Sequence, residues 1–227
     1  MFPSNIPVQN PDIIQLYSIP TPNGQKISIA LEELGIPYEA HRMSFGASLS
    51  HPEYRKLSPN GKIPTLVDPI GPGEKPLLVM ESGAILHYLA RKTGKLMPSD
   101  AAGENQVLQW VLFQVGHVGP MFGQFGHFFK FAKDKTSDAY GVNRYTAEAK
   151  RLLGVMDKQL EGREWIVDSF SIADIALVPW INALDFYEGK EALDYSSFKN
   201  VVAWVERFNA RPAVQRGQSI PAEGQGV

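Results

Sequence analysis

"NGKIPTLV", residues 60–67, places an asparagine–glycine turn and a lysine directly before Ile63-Pro64 and a short apolar run. The wider stretch "KIPTLVDP" (62–69) reads as a strand with proline at its head, where the missing N–H costs the ladder little. The backbone of Ile63 is then left to bond outward, and a cis Ile63-Pro64 bond would make the entry a tight turn. Downstream, "KPLLVMESG" (75–83) is a second strand of the same kind. The turn-rich "DPIGPGEKP" joins the two as a hairpin-type connection. "SGAILHYLARKTG" (82–94) follows as a helix, with Ser82 as its expected N-cap and Gly94 as its terminator.

Working upstream, "IIQLYS" (13–18) has the composition of a buried strand. In "GQKISIALEELG" (24–35), Ile27, Ala30, Leu31 and Leu34 recur at i, i+3, i+4 and i+7, which predicts one apolar helix face closed by Gly35. "PYEAHRMS" (37–44) reads as a strand. In "SHPEYRKLSPNGK" (50–62), Ser50 and Glu53 have the spacing of a capping box and predict a short helix. The order β-α-β-α-β-β-α predicts a small mixed sheet with helices on its faces.

From residue 101 the period changes. "ENQVLQWVLFQVG", "YTAEAKRLLGVMDKQLEG", "SIADIALVPWINALDFYEG" and "FKNVVAWVERFNARP" all suit helices. The expected organisation is an irregular proline-rich arm (1–12), a mixed α/β domain (13–93), a linker (94–103) and an all-helical domain (104–227).

Composition narrows the chemistry. The 227 residues are 44% apolar and 20% charged, ordinary for a folded chain that can bury a core. A formal net charge of −2 supplies no electrostatic reason to bind nucleic acid or an anionic membrane. No apolar run has the length of a membrane span, and the first residues lack a basic-then-apolar signal pattern, so a cytoplasmic protein is expected. Cysteine is absent, which excludes disulfides, thiolate metal sites and a cysteine nucleophile within this chain. The five histidines show no metal-ligand pairing such as H-x-x-x-H, and no metal is assigned.

The loop "SIPTPNG" (18–24) joins the first strand to the first helix and offers only hydroxyls and an amide. A helix N-terminus presents unpaired N–H groups and a partial positive charge, and so favours an anion. One suitable anion is a thiolate carried by a ligand. A thiol of ordinary pKa is about 3% ionised at pH 7; lowering its pKa by about 2 units requires roughly 2.7 kcal/mol of selective stabilisation. The helix dipole contributes roughly 0.3–1 kcal/mol. A hydrogen bond to a charged group adds roughly 1.5–3 kcal/mol. Dipole plus one or two donors from Thr21 or Asn23 would suffice. Read locally, the same residues describe a plain helix start, with Thr21 as N-cap and Pro22 at N1, and that reading is the stronger one on this stretch alone. Ser18 is a further candidate donor, and equally a strand-end residue. In "MESGAIL", Glu81 and Ser82 meet a second helix N-terminus, whose N–H groups suit a ligand carboxylate while Glu81 suits an ammonium.

Taken together, "NGKIPTLV", "ESGAILHYLA" and "SIADIALVPW" resemble the glutathione transferase superfamily, from about residue 13 to about residue 216. "YSIPTPNGQKISIALEELG" and "FQVGHVGPMFGQFGHF" look more specifically like the Nu-class bacterial enzymes and the related fungal nitrogen-regulation prion proteins. The resemblance implies an α/β thioredoxin-like N-terminal domain followed by an all-α C-terminal domain. It also implies a homodimer and glutathione as co-substrate, with one or two molecules per site. Thr21 and Asn23 match the polar pair at the glutathione sulfur. Ile63 matches the residue before the cis-proline, whose backbone pairs with the cysteinyl backbone of glutathione, and Lys62 is placed to reach the glycine carboxylate. Glu81 and Ser82 match the pair that grips the γ-glutamyl end. Arg144 aligns with an arginine that reaches glutathione across the dimer. Ser171 and Asp174 match a capping box that serves folding. One departure is the segment "SFGASLSHPE" (44–53), which lacks the glutamine common in Nu-class relatives and so puts the glycine-carboxylate contact in question.

The activity implied is disulfide-bond reduction with the bound glutathione thiolate as nucleophile. Conventional conjugation to electrophiles and a non-catalytic regulatory role on the same scaffold are the alternatives. A second-substrate pocket is expected near the phenylalanine-rich "FGQFGHFFKF" (122–131), with Ser18, Gln124 and His127 as its candidate polar residues. Phe122, Phe125 and Phe129 have helical spacing and read mainly as core, as do Trp110, Trp180 and Trp204.

Overall fold

A computed structural model describes residues 2–135 and 138–222. Met1 of the arm, two residues within the helical domain and the last five of the chain lie outside the described residues. The chain divides into two compact units: residues up to Lys95 together with those from Pro212 onward, and Leu96–Arg211.

In the first unit the strands β1 (Ile14–Ser18), β2 (Tyr38–Arg42), β3 (Thr65–Asp68) and β4 (Leu77–Met80) form one sheet in the order β2-β1-β3-β4. β1 and β2 are parallel, joined through α1 (Pro22–Leu34), whereas β3 is antiparallel to both β1 and β4. Register puts Tyr17 opposite Thr65 and Gln15 opposite Val67, so these four share a face. On that face Tyr17 and Val67 pack with Ile6 of the arm, Met43, Leu49, Tyr54 and Leu57. Leu16 and Leu66 alternate to the other face, and both are fully buried. α1 packs against α4 (Ser82–Thr93) and against β1.

The arm is tied down. The Glu39 carboxylate on β2 accepts from the backbone N–H groups of Gln9 (2.9 Å) and Asn10 (2.8 Å). The expected capping box at Ser50 is not formed. Ser50 instead ends the short helix α2 (Ala47–Ser50) and donates back to the Gly46 carbonyl. The next helix, α3 (Pro52–Leu57), is capped by His51, whose Nδ1 accepts from the Glu53 N–H. With Pro52 at N1, the helix has to start one residue later than the Ser50 spacing implies.

The second unit is helical: α5 (Ala101–Phe113), α6 (Gly119–Gly126), α7 (Tyr140–Gln159), α8 (Ile172–Phe186) and α9 (Lys199–Asn209). α8 is buried along nearly its whole length and packs against α5, α6 and α9. Helix periodicity alone supports an element ending at Gly116, yet right-handed helical backbone runs through from α5 to Phe131 by way of two π-helical turns, Gln114–Val118 and His127–Phe131. A wider turn ahead of Pro120 absorbs a residue that cannot donate an ordinary i→i−4 bond.

The last described helix, α10 (Pro212–Gly217), returns to the first unit rather than extending the helical one. It packs on α1, where Ser28 Oγ donates to the Gly217 carbonyl at 2.7 Å. A Cβ on Gly217 would lie 2.6 Å from the Ile29 Cα, so glycine permits this close approach. The sequence reading placed residues 104–227 in one helical domain, whereas the residues from Pro212 onward group with the first unit. No helix among the described residues is long and apolar enough to cross a membrane.

Candidate active site

The loop from Ser18 to Gly24 folds tightly onto the first turn of α1. Thr21 occupies the N-cap position in an extended conformation, and Pro22 is the first helical residue. The Thr21 N–H donates to the Ile19 carbonyl at 2.7 Å, and its own carbonyl accepts from Gln25 at 2.9 Å. Its hydroxyl makes no cap hydrogen bond, so the helix start is not closed off by its own N-cap side chain. Gly24 makes the fold-back possible. A Cβ there would sit 1.9 Å from the Ile19 carbonyl oxygen and 2.4 Å from Ser18 Oγ. Ser18 itself is completely buried and donates to the Ile19 carbonyl, so it braces the loop from beneath and offers no surface to a second substrate.

One turn along α1 lies Lys26, a residue the sequence reading passed over. It is 1% exposed. Its Nζ donates to Asn23 Oδ1 at 2.8 Å and to Ser82 Oγ at 3.1 Å. A single buried amine thus links the starts of α1 and α4. Burial pulls its pKa down to about 7, against the pull of the nearby Glu81 carboxylate, which favours the charged form. The signal available in the sequence is faint: a lysine one residue before an apolar helix face is ordinarily solvated.

The start of α4 differs from the sequence expectation by one residue. Glu81, not Ser82, is the N-cap; its carbonyl accepts from Ile85 at 2.9 Å, and it makes no side-chain cap bond. Glu81 holds φ 71° and ψ 120°, a left-handed backbone that costs a non-glycine residue about 1–3 kcal/mol. Its carboxylate is exposed, while Ser82 is 6% exposed with its hydroxyl against Lys26.

The third element is the turn before β3. The Ile63-Pro64 bond is cis. Ile63 precedes the first ladder residue, Thr65, and its side chain packs against the Tyr17 cluster. Tyr54 supports the turn from below: its hydroxyl donates to the Lys62 carbonyl at 2.9 Å and lies 3.1 Å from Thr65 Oγ1. Ser58 Oγ also donates to the Lys62 carbonyl, and it accepts from the Lys62 N–H. The Lys62 side chain is left exposed.

In the helical unit, Arg144 is exposed near the start of α7. Gln124 and His127 are exposed near the junction of α6 with the second π turn. Phe122 and Phe125 are fully buried core residues; Phe129 is half-buried and stacks on Phe125 at 5.0 Å between centroids, whereas Phe131 is exposed. The capping box at α8 is complete. Ser171 Oγ accepts from Ala173, and Asp174 Oδ2 accepts from the Ser171 N–H. Asp174 Oδ1 also accepts from the Ile166 N–H (3.0 Å) and from Trp204 Nε1 (2.9 Å). Burial pushes this carboxyl up to about 6, although its donors favour the charge. No group of histidine, aspartate and glutamate among the described residues is arranged to hold a metal ion.

A four-stranded mixed sheet of thioredoxin type, with a cis-proline turn before β3 and two helix N-termini bridged by Lys26, followed by a helical unit, defines a two-domain thioredoxin-like scaffold. Comparison with known proteins agrees with it. Residues 21–92 match the glutathione S-transferase N-terminal domain and residues 118–212 match the C-terminal domain. The chain belongs to the glutathione S-transferase family. It is 42% identical to "Disulfide-bond oxidoreductase YfcG" of Escherichia coli (strain K12), covering 92% of this chain and 94% of that one. A glutathione transferase family member from Pseudomonas fluorescens, solved with two glutathione bound, is 53% identical, with a TM-score of 0.93 over 95% of this chain and 96% of that one. A glutathione transferase from Pseudomonas putida, solved with one glutathione disulfide bound per subunit, is 49% identical, with a TM-score of 0.93 over 95% of both chains.

Proposed function

We propose that this protein is a glutathione-dependent disulfide-bond oxidoreductase, acting as a homodimer in the cytoplasm. One observation carries the reading: two helix N-termini without side-chain caps are joined through a buried lysine, in a chain with no cysteine. Such a site favours an anionic ligand that brings its own thiol. The relative from E. coli is named a disulfide-bond oxidoreductase, and the Pseudomonas structures hold two glutathione molecules or one glutathione disulfide.

The residues divide the task. Thr21 and Asn23 are assigned to the glutathione sulfur, where a hydroxyl and an amide donate without removing its charge. The Ile63 backbone, outside the β3 ladder, is assigned to the cysteinyl backbone. The buried Ser82 hydroxyl and the first-turn N–H groups of α4 are assigned to the γ-glutamyl carboxylate, and the exposed Glu81 carboxylate to its ammonium. Lys62 and, from a second copy of the chain, Arg144 supply positive charge to the remaining carboxylate. Glutathione supplies the thiolate nucleophile. Overall, two glutathione thiols become one glutathione disulfide while the substrate disulfide becomes two thiols, which take up the two protons. Gln124 and His127 are the polar residues assigned to the second substrate.

The test is reduction of bis(2-hydroxyethyl) disulfide by purified protein with glutathione. The wild-type chain should turn this substrate over only when glutathione is present. Thr21→Ala and Asn23→Ala should each lose at least tenfold in kcat/KM, as expected for removing a donor to a developing or resident charge. A loss of no more than twofold in both variants would remove these residues from the sulfur site.

A further inference from the structure

Lys26 lies beneath the proposed site and is not among the groups that face the ligand. Its chemistry is asymmetric, because an ammonium has three donors and no acceptor. The atom of Asn23 it touches at 2.8 Å is therefore the amide oxygen, and the amide NH2 is turned the other way. Similarly, Ser82 Oγ at 3.1 Å accepts from Lys26, which commits the serine O–H to a direction away from the amine. Without that constraint an asparagine can present either end of its amide, and a serine can point its proton anywhere.

We infer that Lys26 is a positioning residue that fixes the donor polarity of both halves of the glutathione site, so that Asn23 Nδ2 faces the sulfur and the Ser82 hydroxyl proton faces the γ-glutamyl carboxylate. The inference rests on the glutathione reading of the site and adds to it a group that touches neither the sulfur nor the substrate.

Three features of the structure support it. Lys26 is 1% exposed, so its amine is held in one place. The two groups it bridges are 59 positions apart in sequence (Asn23 and Ser82) and start different helices, so a local helix contact does not account for the arrangement. Finally, burying an amine carries a substantial desolvation cost that a leucine or methionine in the same place would avoid. Burial brings the amine towards a pKa of about 7, against the pull of the Glu81 carboxylate, which favours the charged form. The charged amine is the form that enforces the donor polarity, because it has no lone pair with which to accept.

The experiment compares the wild type with Lys26→Met, which keeps the length and volume of the side chain and removes its donors. Glutathione affinity is measured by titration calorimetry, and the pKa of the bound thiol by thiolate absorbance near 240 nm across pH. The expected result is a roughly tenfold loss of affinity together with a rise of about one unit in the bound thiol pKa. A role confined to packing would not move the thiol pKa. In the Asn23→Ala background, Lys26→Met should no longer shift that pKa, because the amide it orients is gone. A folded Lys26→Met variant with unchanged affinity and thiol pKa overturns the inference and leaves the glutathione reading intact. A wild-type chain that fails to bind glutathione overturns both. If Lys26→Met does not fold, amide-selective ¹⁵N NMR of the wild-type protein decides. Glutathione should shift the Asn23 side-chain NH2 resonances by more than those of other asparagines, and an unshifted Asn23 signal in the bound protein overturns the inference.

Discussion

The N-terminus of α8 and the N-terminus of α1 both begin at a hydroxyl-bearing N-cap residue, but the two hydroxyls are used differently. At α8, Ser171 accepts from the first turn, and Asp174 returns a bond to the Ser171 backbone. Asp174 then uses its other oxygen on Ile166 and on the buried Trp204 indole. The helix start is satisfied from within the chain. At α1, Thr21 stands at the equivalent position with its hydroxyl making no cap bond, and the residue three beyond it is a glycine that cannot reach back. A helix start without a side-chain cap is suited to a ligand. The same chain therefore contains one helix start capped by its own side chains and one whose N-cap hydroxyl makes no cap bond.

Asp174→Ala gives the largest expected effect on that comparison. It leaves the buried N–H groups of Ile166 and Ser171 and the Trp204 indole without their acceptor. Leaving a buried donor unsatisfied costs about 1–3 kcal/mol, and three are left here. Urea unfolding followed by tryptophan fluorescence should show this as a lowered midpoint. A loss under about 1 kcal/mol, within the range of a single ordinary hydrogen bond, would mean that the α8 start does not depend on its box.

The capped start of α8 was legible in the sequence, and the start of α1 only partly so. The resemblance to the family's capping box pointed to Ser171 and Asp174, whereas the same spacing at Ser50 and Glu53 formed no box. The sheet and the major helices were readable because periodicity is a short-range property. What escaped was non-local or depended on backbone conformation. Lys26 looks solvated until α4 brings Ser82 over it. Glu81 replaces Ser82 as the N-cap because it adopts a positive φ that its residue type does not advertise. His51 replaces Ser50 because Pro52 fixes where α3 begins. The π turns around Gly119-Pro120 carry helical backbone through residues that normally interrupt it. α10 joins the first unit through a contact between Ser28 and Gly217, 189 positions apart.

Gly24→Ala comes next in size. A methyl group 1.9 Å from the Ile19 carbonyl oxygen cannot be accommodated by a side-chain rotation, because the obstacle is backbone. Overpacking of this sort costs about 1–3 kcal/mol. The loop must move away from α1, carrying Thr21 with it, so glutathione affinity should fall along with stability. Thermal unfolding and calorimetric titration on one preparation check both. Stability and affinity both equal to wild type would mean that the fold-back of the loop is not fixed by this glycine.

The smallest effects test the comparison most directly, because they use one kind of substitution at both helix starts. Ser171→Ala removes a cap bond that exists, and should cost about 1 kcal/mol of stability. Thr21→Ala removes a hydroxyl that caps nothing, so its stability cost should stay within about 0.5 kcal/mol, the range of substitutions away from structural contacts. Activity should rank the two the other way: Ser171→Ala near wild type once folded, Thr21→Ala strongly impaired. The two variants dissociate stability from activity in opposite directions. If Thr21→Ala lost as much stability as Ser171→Ala, its hydroxyl would be acting as a cap in solution, and α1 would be closed by its own side chain as α8 is. The donor would then have to break a helix-capping bond before it could serve a sulfur, and the stabilisation it could give a thiolate would shrink by the strength of that bond.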